Sequence, residues 1–153
     1  MAETKLSEVE VWKALEEAAL EVLETMCFEY PVDAPQPGPA PEGVLTGAVA
    51  RFDGSLRGEL RVALSGDAAR RLAAAFLGID AEDVRPQDEL LMAAELANMM
   101  CGAAMSRLEP HGRLRIQAPE AGTGPCVCAE RSWLRLPLEQ GEVAVTLCCG
   151  EDS

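Results

Sequence analysis

The longest uninterrupted regular stretch of the chain runs from Asp88 to about Leu108, where Pro110 and Gly112 end it. At about 100° per residue, Ala93, Ala97, Met100, Ala104 and Leu108 fall on one side of such a helix. Asp88, Glu95, Asn98, Gly102, Ser106 and Glu109 fall within a narrow stripe on the other. A helix patterned this way has an apolar side to bury, so the rest of the chain must supply a surface that covers it. A chain of 153 residues, 48 % of them hydrophobic, is long enough to close one sizeable core, and one domain over residues 1–153 is expected.

The flanking sequence offers that surface. Ser7-Glu8-Val9-Glu10 has the form of a capping box, and Val11, Trp12, Leu15, Ala18, Ala19, Val22, Leu23 and Met26 recur behind it at helical spacing. Five prolines and one glycine between Pro31 and Pro41 forbid a helix or a central strand there, so residues 31–41 are expected to be a Pro-rich surface linker inside the domain. Val44 to Phe52 and Leu60 to Leu64, joined through Asp53-Gly54-Ser55, read as a β-hairpin. Asp67 is placed to cap a short helix through Leu77, and Gly78 to stop it before an acidic loop of Asp80, Glu82 and Asp83. That loop lacks the ligand pattern of an EF-hand and reads as a solvated turn. Beyond the long helix, Leu114 to Ala118, Trp133 to Leu138 and Val143 to Cys149 are strand-like, the last two joined by Glu139-Gln140-Gly141. Alternation of Leu134, Leu136 and Leu138, and of Val143, Val145 and Leu147, gives each strand one apolar face. The expected class is α/β in the broad sense, more closely α+β: two layers, with helices packed on one face of a mostly antiparallel sheet.

Charge narrows the partners. Twenty-six acidic residues stand against 13 basic ones, a formal net charge of -13, with no basic run able to track phosphates. Nucleic acid and anionic membrane are therefore not expected as partners. The first residues are charged and helix-favouring rather than a basic segment followed by an apolar one, and no window approaches the length of a membrane span, so a cytoplasmic location is expected. Six cysteines, Cys27, Cys101, Cys126, Cys128, Cys148 and Cys149, are then expected to stay reduced. A thiolate zinc site from Cys126-Val127-Cys128 and Cys148-Cys149 is disfavoured, because adjacent strand residues point to opposite faces and zinc knuckles usually place two residues between paired ligands. Small buried hydrophobes are the expected role, and no metal is assigned.

The polar stripe of the long helix is what any amphipathic helix shows, and periodicity leaves a plain solvated face and a binding face equally open. Two details favour the second. Asn98 and Gly102 are poor helix-interior residues, Gly by about 1 kcal/mol relative to Ala. Leu91, Met92 and Met99 border the stripe where Lys, Arg or Glu would suit water better, as on a surface that meets another protein.

Asp88 followed by Glu95-Leu96-Ala97-Asn98-Met99-Met100-Cys101-Gly102 resembles the signature helix of the CheC, CheX and FliY chemotaxis phosphatases, marked by Glu-x-x-Asn and a nearby Gly. The hairpin with Gly54 and Gly58, the short helix ending in Leu77-Gly78 and the acidic loop occur in the order found in CheX-like domains. Ala94 stands where relatives often have Gly, and Ala103 where Asn is common. The first helix offers Glu17-x-x-Leu20 and Glu21-x-x-Glu24 without an Asn, so one site rather than two favours the CheX branch.

The resemblance implies a two-layer CheC-like fold and a phosphatase acting on the aspartyl phosphate of a CheY-like response regulator in two-component signalling. It assigns Asn98 to hold the attacking water and Glu95 to pair with the receiver's lysine, with Leu91, Met92, Met99 and Gly102 as partner contacts. No cofactor of the chain's own is expected, since Mg²⁺ would be held by the receiver, and a homodimer is implied. A receiver-binding adaptor without activity, or a flagellar-switch-like interaction protein, is the alternative. A single His111 between Pro110 and Gly112, and no Gly-x-x-x-x-Gly-Lys loop, give no sign of autonomous phosphoryl chemistry. His111 reads as a surface residue at the helix end.

Overall fold

Residues 7–150 are described by the computed structural model of the chain. Helix α1 spans Glu8–Cys27. Its capping box is formed: the Glu10 amide donates to Ser7 Oγ at 3.1 Å and the Ser7 amide to Glu10 Oε1 at 3.2 Å. Strands β1 (Gln36–Gly38), β2 (Leu45–Gly54) and β3 (Arg57–Leu64) follow, then α2 (Gly66–Leu77), a 3₁₀ turn over Ala81–Asp83 and α3 (Pro86–Leu108). Strands β4 (Leu114–Ile116), β5 (Glu120–Gly124), β6 (Trp133–Pro137) and β7 (Glu142–Gly150) complete the order.

The seven strands form one sheet in the order β1-β6-β7-β3-β2-β4, with β5 also paired to β2, and every pairing is antiparallel. Thr46 pairs with Leu64 and Phe52 with Gly58 across the β2–β3 hairpin, while Arg57 to Leu64 pair with Gly150 back to Val143. That register puts Ala48, Ala50, Phe52, Leu60, Val62 and Leu64 on the helix-covered face, where they share the main core with Leu15, Leu23, Leu72, Leu96 and Met100. Each fully buried Leu, Val, Phe or Met side chain among these contributes about 1.5–3 kcal/mol of hydrophobic stabilisation. The hairpin's two glycines are demanded by space. A Cβ on Gly54, whose φ is +138°, would lie 2.0 Å from the Arg113 carbonyl oxygen, and one on Gly58 would lie 1.9 Å from that of Cys148.

Two expectations need correction, and one strand is additional. Residues 31–41 are not only a linker: Gln36–Gly38 forms β1 on the sheet's edge, where prolines without an N–H are tolerated. The α2 cap is Ser65, whose Oγ accepts from the Ala68 amide at 3.4 Å, rather than Asp67, which lies inside the first turn. Glu120–Gly124 is a strand that sequence patterning does not reveal, since two glycines and no apolar alternation leave it without a strand signature. Among the described residues, no helix is long and apolar enough to cross a membrane.

Candidate functional site

Helix α3 carries the candidate site. It begins with Pro86 at its first turn, and the Asp88 carboxylate accepts from the Arg85 amide at 2.9 Å, which caps the helix. The helix rests on β2 and β3 and is flanked by both α1 and α2. Ala93, Ala97, Met100 and Ala104 are fully buried, and the small size of the three alanines lets the helix axis approach the sheet closely. At its far end Arg107 ion-pairs with Glu21 and, at 3.4 Å, with Glu17, fastening α3 across α1.

The arc left uncovered carries the polar stripe. Glu95 and Asn98 are both partly exposed and stand one turn apart, with Cβ atoms about 5–6 Å from each other by helix geometry. Among the described residues neither side chain makes a hydrogen bond or ion pair. Leu91 is 46 % and Met99 37 % exposed, so both border the stripe as apolar surface. Gly102 is half-buried in the same stripe, and a Cβ built there would meet only Ile116 Cδ1 at 3.9 Å, an ordinary contact. Packing within this chain therefore does not require glycine at 102. Ser106 donates to the Gly102 carbonyl at 2.9 Å and is occupied with the helix backbone, while His111 is exposed beyond the helix end.

Met92 is a correction. It is 1 % exposed and belongs to the main core, so it cannot serve as a partner contact. With helices on both flanks as well as a sheet beneath, the buried arc of α3 is wider than the side marked by its alanines, and Met92 falls inside it. Ile116 of β4, beside Gly102, is the converse: a border of the stripe that only the tertiary fold brings there.

Other candidate chemistry does not gather around the stripe. Cys101, next to Gly102, is fully buried, and burial pushes its thiol up to about 12, which makes it a packing group rather than a nucleophile. Cys27 is likewise pushed up to about 11, by burial and then by the charge of Glu29. Cys148 is exposed, which departs from the buried role expected of it, and Cys149 is half-buried. Neighbours on one strand, they face opposite sides of the sheet. No group of three or more His, Cys, Asp or Glu among the described residues is arranged to hold a metal ion.

A helix that exposes a carboxylate and a carboxamide one turn apart, laid with two other helices on a seven-stranded antiparallel sheet, defines a CheC-like α+β protein. The chain belongs to the CheX chemotaxis phosphatase family, whose family model matches residues 46–129, more than half of its length. Solved structures agree on the fold. The chain is similar to the chemotaxis protein CheX from Desulfovibrio desulfuricans, at 24 % identity and a TM-score of 0.66 over 92 % of this chain and 99 % of that one. It is similar to CheX from Vibrio vulnificus, at 18 % identity and a TM-score of 0.75 over 95 % and 99 % of the two chains. A chain of the CheX–CheY–BeF3–Mg²⁺ complex from Borrelia burgdorferi matches at 18 % identity and a TM-score of 0.72, over 92 % and 98 %. A comparison with curated proteins finds no match.

Proposed function

We propose that this chain hydrolyses the aspartyl phosphate of a CheY-like receiver domain, using Asn98 and Glu95. The observation that carries this reading is that the two side chains share one turn of an exposed stripe and are unengaged among the described residues. Membership of the CheX family supports it, as does the similar chain seen with CheY. An aspartyl phosphate sits in a receiver pocket that holds its own Mg²⁺ and positive charge, so the visiting protein has only to place water. The Asn98 carboxamide combines an acceptor and donors in one plane, which suits it to hold a water in line with the phosphorus. Glu95 pairs with the receiver's lysine and sets how deeply Asn98 enters. Neither residue forms a covalent bond, and the water oxygen becomes the fourth oxygen of inorganic phosphate as the aspartate carboxylate leaves. Action on a receiver places the chain in the cytoplasm.

The test is decay of a phosphorylated receiver under catalytic amounts of the protein. Turnover is expected, and Asn98→Ala is expected to abolish it while receiver binding persists. Full activity in that variant removes the mechanism, and binding by the wild type without any turnover leaves an adaptor. We also propose that the chain forms a homodimer through the β5 edge of its sheet.

A further inference from the structure

On the face of the sheet turned away from the helices, a groove of about 570 Å³ lies between β2, β3, β5 and the loop after β5. Small-molecule sites usually measure about 300–1,000 Å³. The strand register gives the groove two unlike ends. Toward the β2–β3 turn lie Arg61, paired with Val49, and Arg51, paired with Glu59. At the other end lie Leu45 and Ala63, which join Trp133 in a small apolar cluster separate from the main core.

Charge at the first end is not balanced. Glu59 accepts from Arg61 Nε at 2.5 Å and from Arg131 Nη1 at 3.3 Å, with Arg51 Nε at 3.8 Å, and Arg51 also reaches Glu120 at 3.2 Å. Three guanidinium groups against two carboxylates leave one positive charge over, in a chain whose formal net charge is -13. Arg61 spends only its Nε, and its two terminal nitrogens make no hydrogen bond among the described residues, although its side chain is only 18 % exposed. A half-buried guanidinium with unspent donors at the mouth of an apolar groove is matched by an anion attached to an apolar body.

We propose that this groove binds a small amphiphilic anion, with its aliphatic or aromatic body against the exposed Pro125 and Val127, which lie over the buried Leu45, Ala63 and Trp133, and its carboxylate or sulfonate head on Arg51 and Arg61. The site lies on the opposite side of the sheet from the α3 stripe and does not depend on the receiver reading. β5 forms one of its walls. A Cβ on Gly122, which lines the groove, would meet nothing within 4 Å, so a side chain added there enters open space without a clash.

The probe is 8-anilinonaphthalene-1-sulfonate, titrated into the full chain by fluorescence. Saturable one-to-one binding is expected, displaced by octanoate but not by octanol, which has the same chain without the charge. Arg61→Gln is expected to weaken binding about tenfold through loss of a charge-assisted contact. Gly122→Leu is expected to abolish binding with an unchanged melting temperature, and Arg51→Gln replaces Arg61→Gln if the latter lowers it. Absence of saturable binding, equal displacement by octanol, or unchanged binding by Gly122→Leu overturns the proposal.

Discussion

Gly102 is the residue at which stability and function part. Glycine inside a helix costs about 0.5–1 kcal/mol relative to alanine, and no described residue closes the space where a Cβ would stand. Gly102→Ala is therefore expected to raise the stability of the protein by up to about 1 kcal/mol, measured by urea unfolding. If the glycine instead keeps the helix surface low so that a receiver can approach Glu95 and Asn98, the same variant raises KM for the phosphorylated receiver several-fold with kcat nearly unchanged. An unaltered KM assigns Gly102 no part in docking. Glu95→Ala is expected to act on the same quantity, because a lysine clamp determines how often the complex forms in the productive geometry. Normal dependence of its rate on receiver concentration contradicts the clamp.

At the scale of elements, α1 shows a fault that local physics makes measurable. Its C-cap is Phe28 in the left-handed region, at φ 56° and ψ 37°, with 77 % of the residue exposed. Glycine is the usual residue there, since a Cβ in that conformation costs about 1–2 kcal/mol. Phe28→Gly is expected to stabilise the chain by about 1 kcal/mol and raise Tm by about 2–4 °C. A lower Tm shows that the exposed ring is packed against something in solution. Phe28 carries no sequence signal of a cap, whereas Ser7, Gly78 and Pro110 mark helix boundaries that the structure keeps. Elements defined by their own residues were legible in this way: the α1 and α3 periodicities, the β2–β3 hairpin and the alternation of β6 and β7. Elements defined by a neighbour were not. β1 exists because β6 offers it an edge, β5 because β2 is long enough to pair twice, and Met92 is buried because helices pack on both flanks of α3. The stripe was legible because its residues follow one helix, while Ile116 and the Arg51–Arg61 groove depend on contacts between strands far apart in sequence.

For the molecule as a whole, the two ends of the sheet are unequal. At the β1 end, Pro35, Pro37 and Pro39 lack the N–H groups that another strand would need, which blunts that edge against pairing. At the other end β5 pairs, among the described residues, with β2 alone, holds no proline between Glu120 and Gly124, and exposes Ala121, Gly122 and Thr123. A two-fold antiparallel pairing of β5 with its copy satisfies the open backbone groups and sets Ala121 of each protomer opposite Thr123 of the other, if it is centred on Gly122. Light scattering is then expected to give twice the chain mass of 16.3 kDa at micromolar concentration. Replacing Ala121 and Thr123 together by lysine places like charges across that pairing, and both side chains are exposed, so the protomer should fold unchanged and run at the single-chain mass. Wild-type protein at the single-chain mass, or a dimer indifferent to the lysines, removes the β5 edge as the contact. α3 contacts β5 as well as β2 and β3, so the Glu95–Asn98 stripe and the β5 edge lie on neighbouring parts of the molecule. The rate of the lysine variant on the receiver then separates two arrangements: the wild-type rate per protomer means that each copy carries a whole site, and loss of activity along with the dimer means that the second copy completes it.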